Sequence, residues 1–251
     1  MTDKAGRNVI VHDHERVDDL QRSGLVIIQN PARPRFSMDA VLLSEFAGVK
    51  PGDRCIDLGT GTGVIPLLVW ARRAPARMVG VEIQADMADM ARRSVELNGL
   101  SDKIEIVHDD LKNAAEVFGA GRFDVVLSNP PYLALDRGAP STENDLALAR
   151  HEVACTLADV TVAAGKLLKS RGRLAMVHRP ARLADLLGQM RASHLEPVRL
   201  RFVQARSASP PMMVLAEAVK ESKAALKIMP TLVLYGEDGR HSDEINHIYF
   251  G

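Results

Sequence analysis

Cysteine is nearly absent: Cys55 and Cys155 are the only two in 251 residues, far apart and without a Cys-x-x-Cys pair or histidines at ligand spacing. That argues against a disulfide framework and against a structural metal site, and favours buried free thiols in a reducing compartment. Net charge is also missing, because 32 basic residues balance 32 acidic ones. A nucleic-acid partner would therefore have to be held by a local patch. No apolar run approaches the ~20 residues that span a bilayer, and the first residues lack the apolar core of a signal peptide. The expectation is a soluble, cytoplasmic chain with no membrane contact and no metal. There are no internal repeats and no low-complexity tracts. The only tryptophan, Trp70, lies on an apolar helical face and reads as core.

What is present is a regular alternation. With 46% hydrophobic and 25% charged residues, the chain can bury one sizeable core. Residues 1 to 22 are polar without periodicity and predict a mobile start. Residues 24–30 form a short β-like segment, and 31–35 a loop leading into a helix over 39–46 with Ser37 as its cap. From Arg54 onward, strands at 54–58, 77–82, 103–108, 123–128 and 173–178 alternate with helices at 64–73, 85–98, 112–118, one ending near Leu168, and one at 181–192. That pattern predicts a parallel sheet covered on both faces. Segments 195–205 and 212–219 flank Arg206-Ser207-Ala208-Ser209-Pro210-Pro211 and read as a closing antiparallel hairpin. The tail beyond Pro230, including Tyr235-Gly236-Glu237-Asp238-Gly239, suggests no chemical role.

Polar signals gather at the strand ends. Arg54-Cys55-Ile56-Asp57-Leu58 runs into Gly59-Thr60-Gly61-Thr62-Gly63, a strand, glycine turn and helix start where a ligand can approach the backbone. The spacing is not that of the dinucleotide fingerprint. Glu82, followed by Ile83, closes the next strand, where a carboxylate can accept from ribose hydroxyls. Asp109 and Asp110, followed by Leu111, end the third, and one of these acids could accept from an adenine amino group. In open α/β sheets ligands sit beyond the carboxyl ends of the strands, so these residues share one rim.

The fourth strand end carries Asn129-Pro130-Pro131-Tyr132. An amide or exocyclic NH2 is a poor nucleophile because its lone pair is delocalised. Two acceptors holding its two hydrogens push the nitrogen toward tetrahedral geometry and localise that pair. Asn129 can supply a side-chain oxygen, and Pro130, which lacks an N–H and has a fixed φ, leaves its carbonyl as the second acceptor. Pro131 completes the motif, and the Tyr132 ring offers a stacking face for a flat substrate. Asn-Pro and Pro-Pro also punctuate ordinary turns, so this motif gains weight from the rim it shares.

The acid before Gly-x-Gly-x-Gly resembles the S-adenosylmethionine (SAM) site of class I methyltransferases. Over nearly its whole length the chain resembles the bacterial adenine N6-methyltransferases of valine transfer RNA. Residues 24–30, residues 35–43, Asp57 to Gly63, Asn129 to Tyr132, and Ala149-Arg150-His151-Glu152 carry the likeness. Asn-Pro-Pro-Tyr alone is shared with DNA adenine, guanine N2 and release-factor glutamine methyltransferases. The resemblance implies a Rossmann-like fold with a mostly parallel seven-stranded sheet. It also implies an N-terminal extension over residues 1–50 covering the cofactor and substrate, and a methyltransferase domain over 51–251. SAM would contact Phe36, Ser37 and Asp39 at its methionine end, then Asp57, Gly59, Thr60, Gly61, Gly63, Glu82, Ile83, Asp109, Asp110, Leu111 and Asn129. The tRNA partner would meet Arg33, Arg35, Tyr132, Arg137 and His151, with Arg206 in the hairpin as a further basic contact. His151 fits a helix-surface network as well as a substrate contact. Arg191, Arg199, Arg201 and Arg206 could line a phosphate track or form a solvated face. Two other readings stay open, a glutamine N5-methyltransferase and a non-catalytic SAM- or RNA-binding scaffold.

Overall fold

The computed structural model describes residues 8–33, 37–130 and 155–250. Strand β1 (Arg16–Asp19) pairs antiparallel with β2 (Val26–Gln29), and α1 (Met38–Phe46) follows. Next come β3 (Arg54–Leu58), α2 (Val64–Arg73), β4 (Arg77–Glu82), α3 (Ala85–Leu97), β5 (Ile104–His108), α4 (Ala114–Phe118) and β6 (Phe123–Ser128). The chain closes with α5 (Leu157–Leu167), β7 (Leu168–His178), α6 (Leu183–Ala192), β8 (Leu195–Gln204), β9 (Pro211–Lys220), β10 (Lys227–Ile228), β11 (Leu232–Val233) and α7 (Asp243–Phe250).

The large sheet runs β10-β8-β9-β7-β6-β3-β4-β5, with β11 also on β8. Strands β3 to β7 are parallel, and β9 lies antiparallel between β7 and β8. The seven expected strands are therefore present. Two two-residue strands, too short to show any periodicity, extend the sheet at the β8 edge. From β3 the chain winds outward through β4 and β5, then crosses back to β6 on the other side of β3. The order thus reverses at the β3–β6 boundary, where α/β folds open a crevice for ligands. Ser128 Oγ donates to Leu58 O at 2.8 Å and ties these two strand ends together.

Period-two alternation sorts the core onto two faces. Cys55, Met78, Val125, Leu127 and Val177 join α1, α2 and α3 on one side, and Trp70 packs half-buried against them. Ile56, Leu58, Val79, Val126 and Met176 join α5 and α6 on the other.

Three expectations need revision, and the tail gains a packing role. Of the first 22 residues, expected to be a mobile start, the described ones, 8–22, include β1, and the β1–β2 hairpin docks on α3. There Val9 and Ile28 pack on Met87, Met90 and Leu97. Asn98 Oδ1 accepts from Val26 N at 3.0 Å while its Nδ2 donates to Val26 O, and Ser94 Oγ accepts from Ile28 N at 2.9 Å. The strand expected from Arg173 begins at Leu168, immediately after α5, as Lys169 Nζ reaches Asp124 Oδ1 at 2.8 Å across the β6 start. Ser37 stands at the N-cap of α1, but its hydroxyl donates to Asp39 rather than capping a backbone amide. The tail has a packing role: Ile245 and Ile248 are buried in the first core, and Arg72 Nη2 donates to Ile248 O at 2.7 Å.

Candidate active site

Asp57 is fully buried at the end of β3. Its Oδ2 accepts from the Thr60 hydroxyl at 2.7 Å, while Oδ1 has no hydrogen-bond partner among the described residues. Burial pushes its pKa up to about 7, with the Thr60 bond opposing and the Glu82 charge adding to the rise. The turn that follows is tied to β4, since the Gly59 and Thr60 amides both donate to Val81 O at 2.9 and 3.0 Å. Gly61, at φ +57°, aims its N–H at Glu82 Oε2, 2.8 Å away. Gly63 is the left-handed N-cap of α2, where a Cβ would lie 3.2 Å from Ala91 Cβ. No side chain caps α2, so its first amides have no capping partner at the rim.

Glu82 is buried at the end of β4, and its Oε1 accepts from Gln84 N at 2.9 Å. Ile83 beside it is 43% exposed, an apolar face left open at the rim, and its carbonyl is 3.0 Å from His108 Nε2. Asp109 donates its amide to Glu82 O at 3.0 Å, and its Oδ1 accepts from Asp110 N and Asn113 Nδ2. Asp110 caps a short 3-10 turn through Lys112 N and pairs with Lys112 Nζ at 3.1 Å. The Leu111 side chain is buried in the second core, which limits what it can offer a ligand to its backbone.

Asn129, half-buried, and Pro130, buried, directly follow β6, the strand that pairs with β3. The other candidates divide. Ser37 and Asp39 open α1, and Asp39 Oδ1 also accepts from Ala40 N at 2.9 Å. Arg33 pairs with Asp86 at the start of α3. Arg35, Phe36, Pro131, Tyr132, Arg137 and His151 lie outside the described residues.

The family model described as "Methyltransferase small domain" matches residues 38–192, well over half of the chain. A tRNA1(Val) (adenine(37)-N6)-methyltransferase from Porphyromonas gingivalis is 32% identical over 227 residues, covering 87% of this chain and 88% of its own. The enzyme so named from Parabacteroides distasonis is 29% identical over 210 residues, covering 84% and 86%. The chain belongs to this methyltransferase family. Solved structures show the same fold. A predicted O-methyltransferase from Agrobacterium tumefaciens superposes with TM-score 0.70 at 24% identity, covering 84% of this chain and 95% of that one. TYW2 from Pyrococcus horikoshii gives 0.57 at 13% identity, covering 84% and 73%.

One residue of this methyltransferase's rim escaped sequence reasoning. His178 ends β7, the strand next to β6, and is buried. Its Nδ1 accepts from Arg179 N at 2.9 Å, and burial, helped by the Arg182 charge, lowers its pKa to about 4. It is therefore neutral near pH 7, with the proton on Nε2. The signal was present, a polar residue closing an apolar strand as Glu82 does, but a single histidine after Leu174-Ala175-Met176-Val177 also reads as core.

The arginines of the methyltransferase are mostly engaged in its own structure. Arg191 pairs with Glu196, Arg199 with Glu217 and the Phe46 carbonyl, and Arg201 grips Glu244 with two nitrogens at 2.6 and 2.7 Å. Arg206 stands exposed on the hairpin loop at the rim. Among the described residues no group of three or more His, Cys, Asp and Glu could hold a metal, and no helix is long and apolar enough to cross a membrane.

Proposed function

We propose that this chain methylates N6 of an adenine in transfer RNA, with SAM as donor and position 37 of a valine tRNA as the target that its relatives' names point to. One observation carries the reading. Asn129 directly follows β6, whose last residue is tied to the end of β3, so an acceptor for an NH2 group adjoins a nucleotide-like ligand site at the point where strand order reverses.

The residues fit SAM. Glu82 has a buried carboxylate at the end of β4, suited to two ribose hydroxyls, and the exposed Ile83 side chain would cover a purine face. Asp109 or Asp110 would accept from the adenine amino group. The amides of the 59–63 turn, together with Ser37, Asp39 and Phe36, would hold the methionine end, and the unpaired Asp57 Oδ1 supplies a buried acceptor there. SAM supplies an electrophilic methyl group.

The protein's own part is to position and polarise. Asn129 Oδ1 and the Pro130 carbonyl would hold the two amino hydrogens, Pro131 would fix the turn, and Tyr132 would stack on the base. That arrangement stabilises the nitrogen most as it becomes tetrahedral. No base is needed before transfer, because the amine sheds its proton afterwards. A base paired inside a duplex could not reach this site, so the target enters flipped or already unstacked in a loop. Residues 1–50 would act as a cover over the methyltransferase domain at 51–251. Arg33, Arg35, Arg137 and Arg206 would supply the local positive charge that a neutral chain requires, and His151 a further substrate contact.

The test supplies labelled SAM with valine tRNA and, separately, with release factor. Label recovered as N6-methyladenosine at position 37 is expected. Label found only on a glutamine side chain would overturn the RNA reading and leave the acceptor chemistry of Asn129 standing.

A further inference from the structure

The methyl-transfer site makes no use of the segment after Pro230, yet that segment gathers rings. The chain has six phenylalanines, three tyrosines and one tryptophan in all, and Tyr235, Tyr249 and Phe250 fall in its last seventeen residues. They line up through His241. Ring centroids are 5.2 Å apart for Tyr235 and His241, 6.1 Å for His241 and Tyr249 with planes within 26°, and 6.0 Å for Tyr249 and Phe250.

The topology sets this row beside the rim. Strand β9 is antiparallel to both β7 and β8, so β8 ends at the same edge of the sheet as β7 with His178. Strand β11 runs parallel to that end of β8, pairing Leu232 with Val203 and Val233 with Gln204, and Tyr235 emerges just beyond it. Arg206 Nη2 reaches within 4.0 Å of where a Cβ would sit on Gly239, which places it over the same turn, and the Arg240 side chain is 88% exposed. Asp39, at the start of α1, is close enough for its charge to help raise the Tyr249 pKa, after burial and Tyr235.

The row is open to solvent at its Phe250 end. Here Ile245 and Ile248 anchor α7, while Phe250 stays 63% exposed and Tyr235, His241 and Tyr249 are half-buried. Unpaired bases stack on such faces, and arginines beside them meet the phosphates. We propose that Tyr235, His241, Tyr249 and Phe250, with Arg206 and Arg240, form a docking surface for the substrate tRNA outside the target base. Stacking takes a loop nucleotide, and the two guanidiniums take its phosphates. This rests on the tRNA reading above.

The experiment measures tRNA binding by fluorescence anisotropy across a salt series, together with methylation kinetics, SAM affinity and thermal stability. In His241→Leu/Phe250→Leu, tRNA affinity should fall about tenfold and KM for tRNA should rise, with kcat and SAM affinity unchanged. Phe250→Tyr should retain wild-type affinity. In Arg206→Gln/Arg240→Gln the log-log salt slope should flatten by roughly one to two units. Folded, SAM-binding variants of both kinds that hold tRNA as tightly as the wild type would overturn the docking surface. If the leucine pair loses stability, the arginine pair alone decides, since its side chains are exposed. Wild-type enzyme that methylates release-factor glutamine and ignores tRNA would overturn the functional reading and this surface with it.

Discussion

The Gly61 amide donates to Glu82 Oε2 at 2.8 Å, joining the middle of the glycine turn to the end of the next strand. One carboxylate therefore both shapes the turn and would accept from the cofactor. Replacing Glu82 with alanine removes charge-assisted acceptors worth about 2 kcal/mol, so SAM should bind roughly thirtyfold more weakly. Glu82→Gln keeps one acceptor oxygen and should fall between. Calorimetry on folded variants checks this, and unchanged SAM affinity in Glu82→Ala would remove Glu82 from the site.

Asn129 should matter at a different stage. Its side-chain oxygen gains most from the substrate as the nitrogen turns tetrahedral, so Asn129→Ala should lower kcat far more than SAM affinity. Losing such a contact costs on the order of 3 kcal/mol, about a hundredfold in rate. Single-turnover methylation of tRNA at saturating SAM reads the effect directly. A wild-type rate in the variant would refute the acceptor role.

The strand ends were legible because each couples a local pattern to a local cause. Asp57 precedes a glycine turn, Glu82 closes an apolar run, and Asn129 stands before two prolines. The elements that escaped are held by distant partners. Strand β1 is polar and depends on β2, whose Val26 is bonded by Asn98 seventy-two residues away. Helix α7 is held by Arg72 on the Ile248 carbonyl and by Arg201 on Glu244, contacts that no window of sequence contains. Arg199 and Arg201 resembled a phosphate track for the same reason, since their acidic partners come from β9 and α7.

Asn98 gives a stability test of that long-range docking. Its amide serves β2 as a neighbouring strand would, accepting from Val26 N and donating to Val26 O. Alanine leaves both backbone groups short of a partner, at a cost of roughly 2 kcal/mol. Urea denaturation should show that loss, and limited proteolysis should cut the β1–β2 hairpin before the sheet domain. Wild-type behaviour in both assays would mean that the apolar contacts of Ile28 with Met87 and Met90 hold the hairpin unaided.

Asp57 predicts a pH dependence of opposite sign for stability and for cofactor binding. Its pKa rises from 3.8 to about 7 on folding because the buried site disfavours the ionised form. The folded state therefore holds the proton where the unfolded chain has released it. The stabilisation is complete below pH ~4 and is lost as pH rises through 7. SAM carries positive charge on its sulfonium and amino groups, so it should favour the ionised carboxylate, and its affinity should increase between about pH 6 and 8. Asp57→Asn removes the titrating group, so both slopes should flatten, with weaker SAM binding at high pH. Denaturant melts and calorimetry across that interval, on wild type and Asp57→Asn together, decide the matter. If the variant keeps the wild-type pH slope for SAM, another group titrates there and Asp57 has no part in holding the charge.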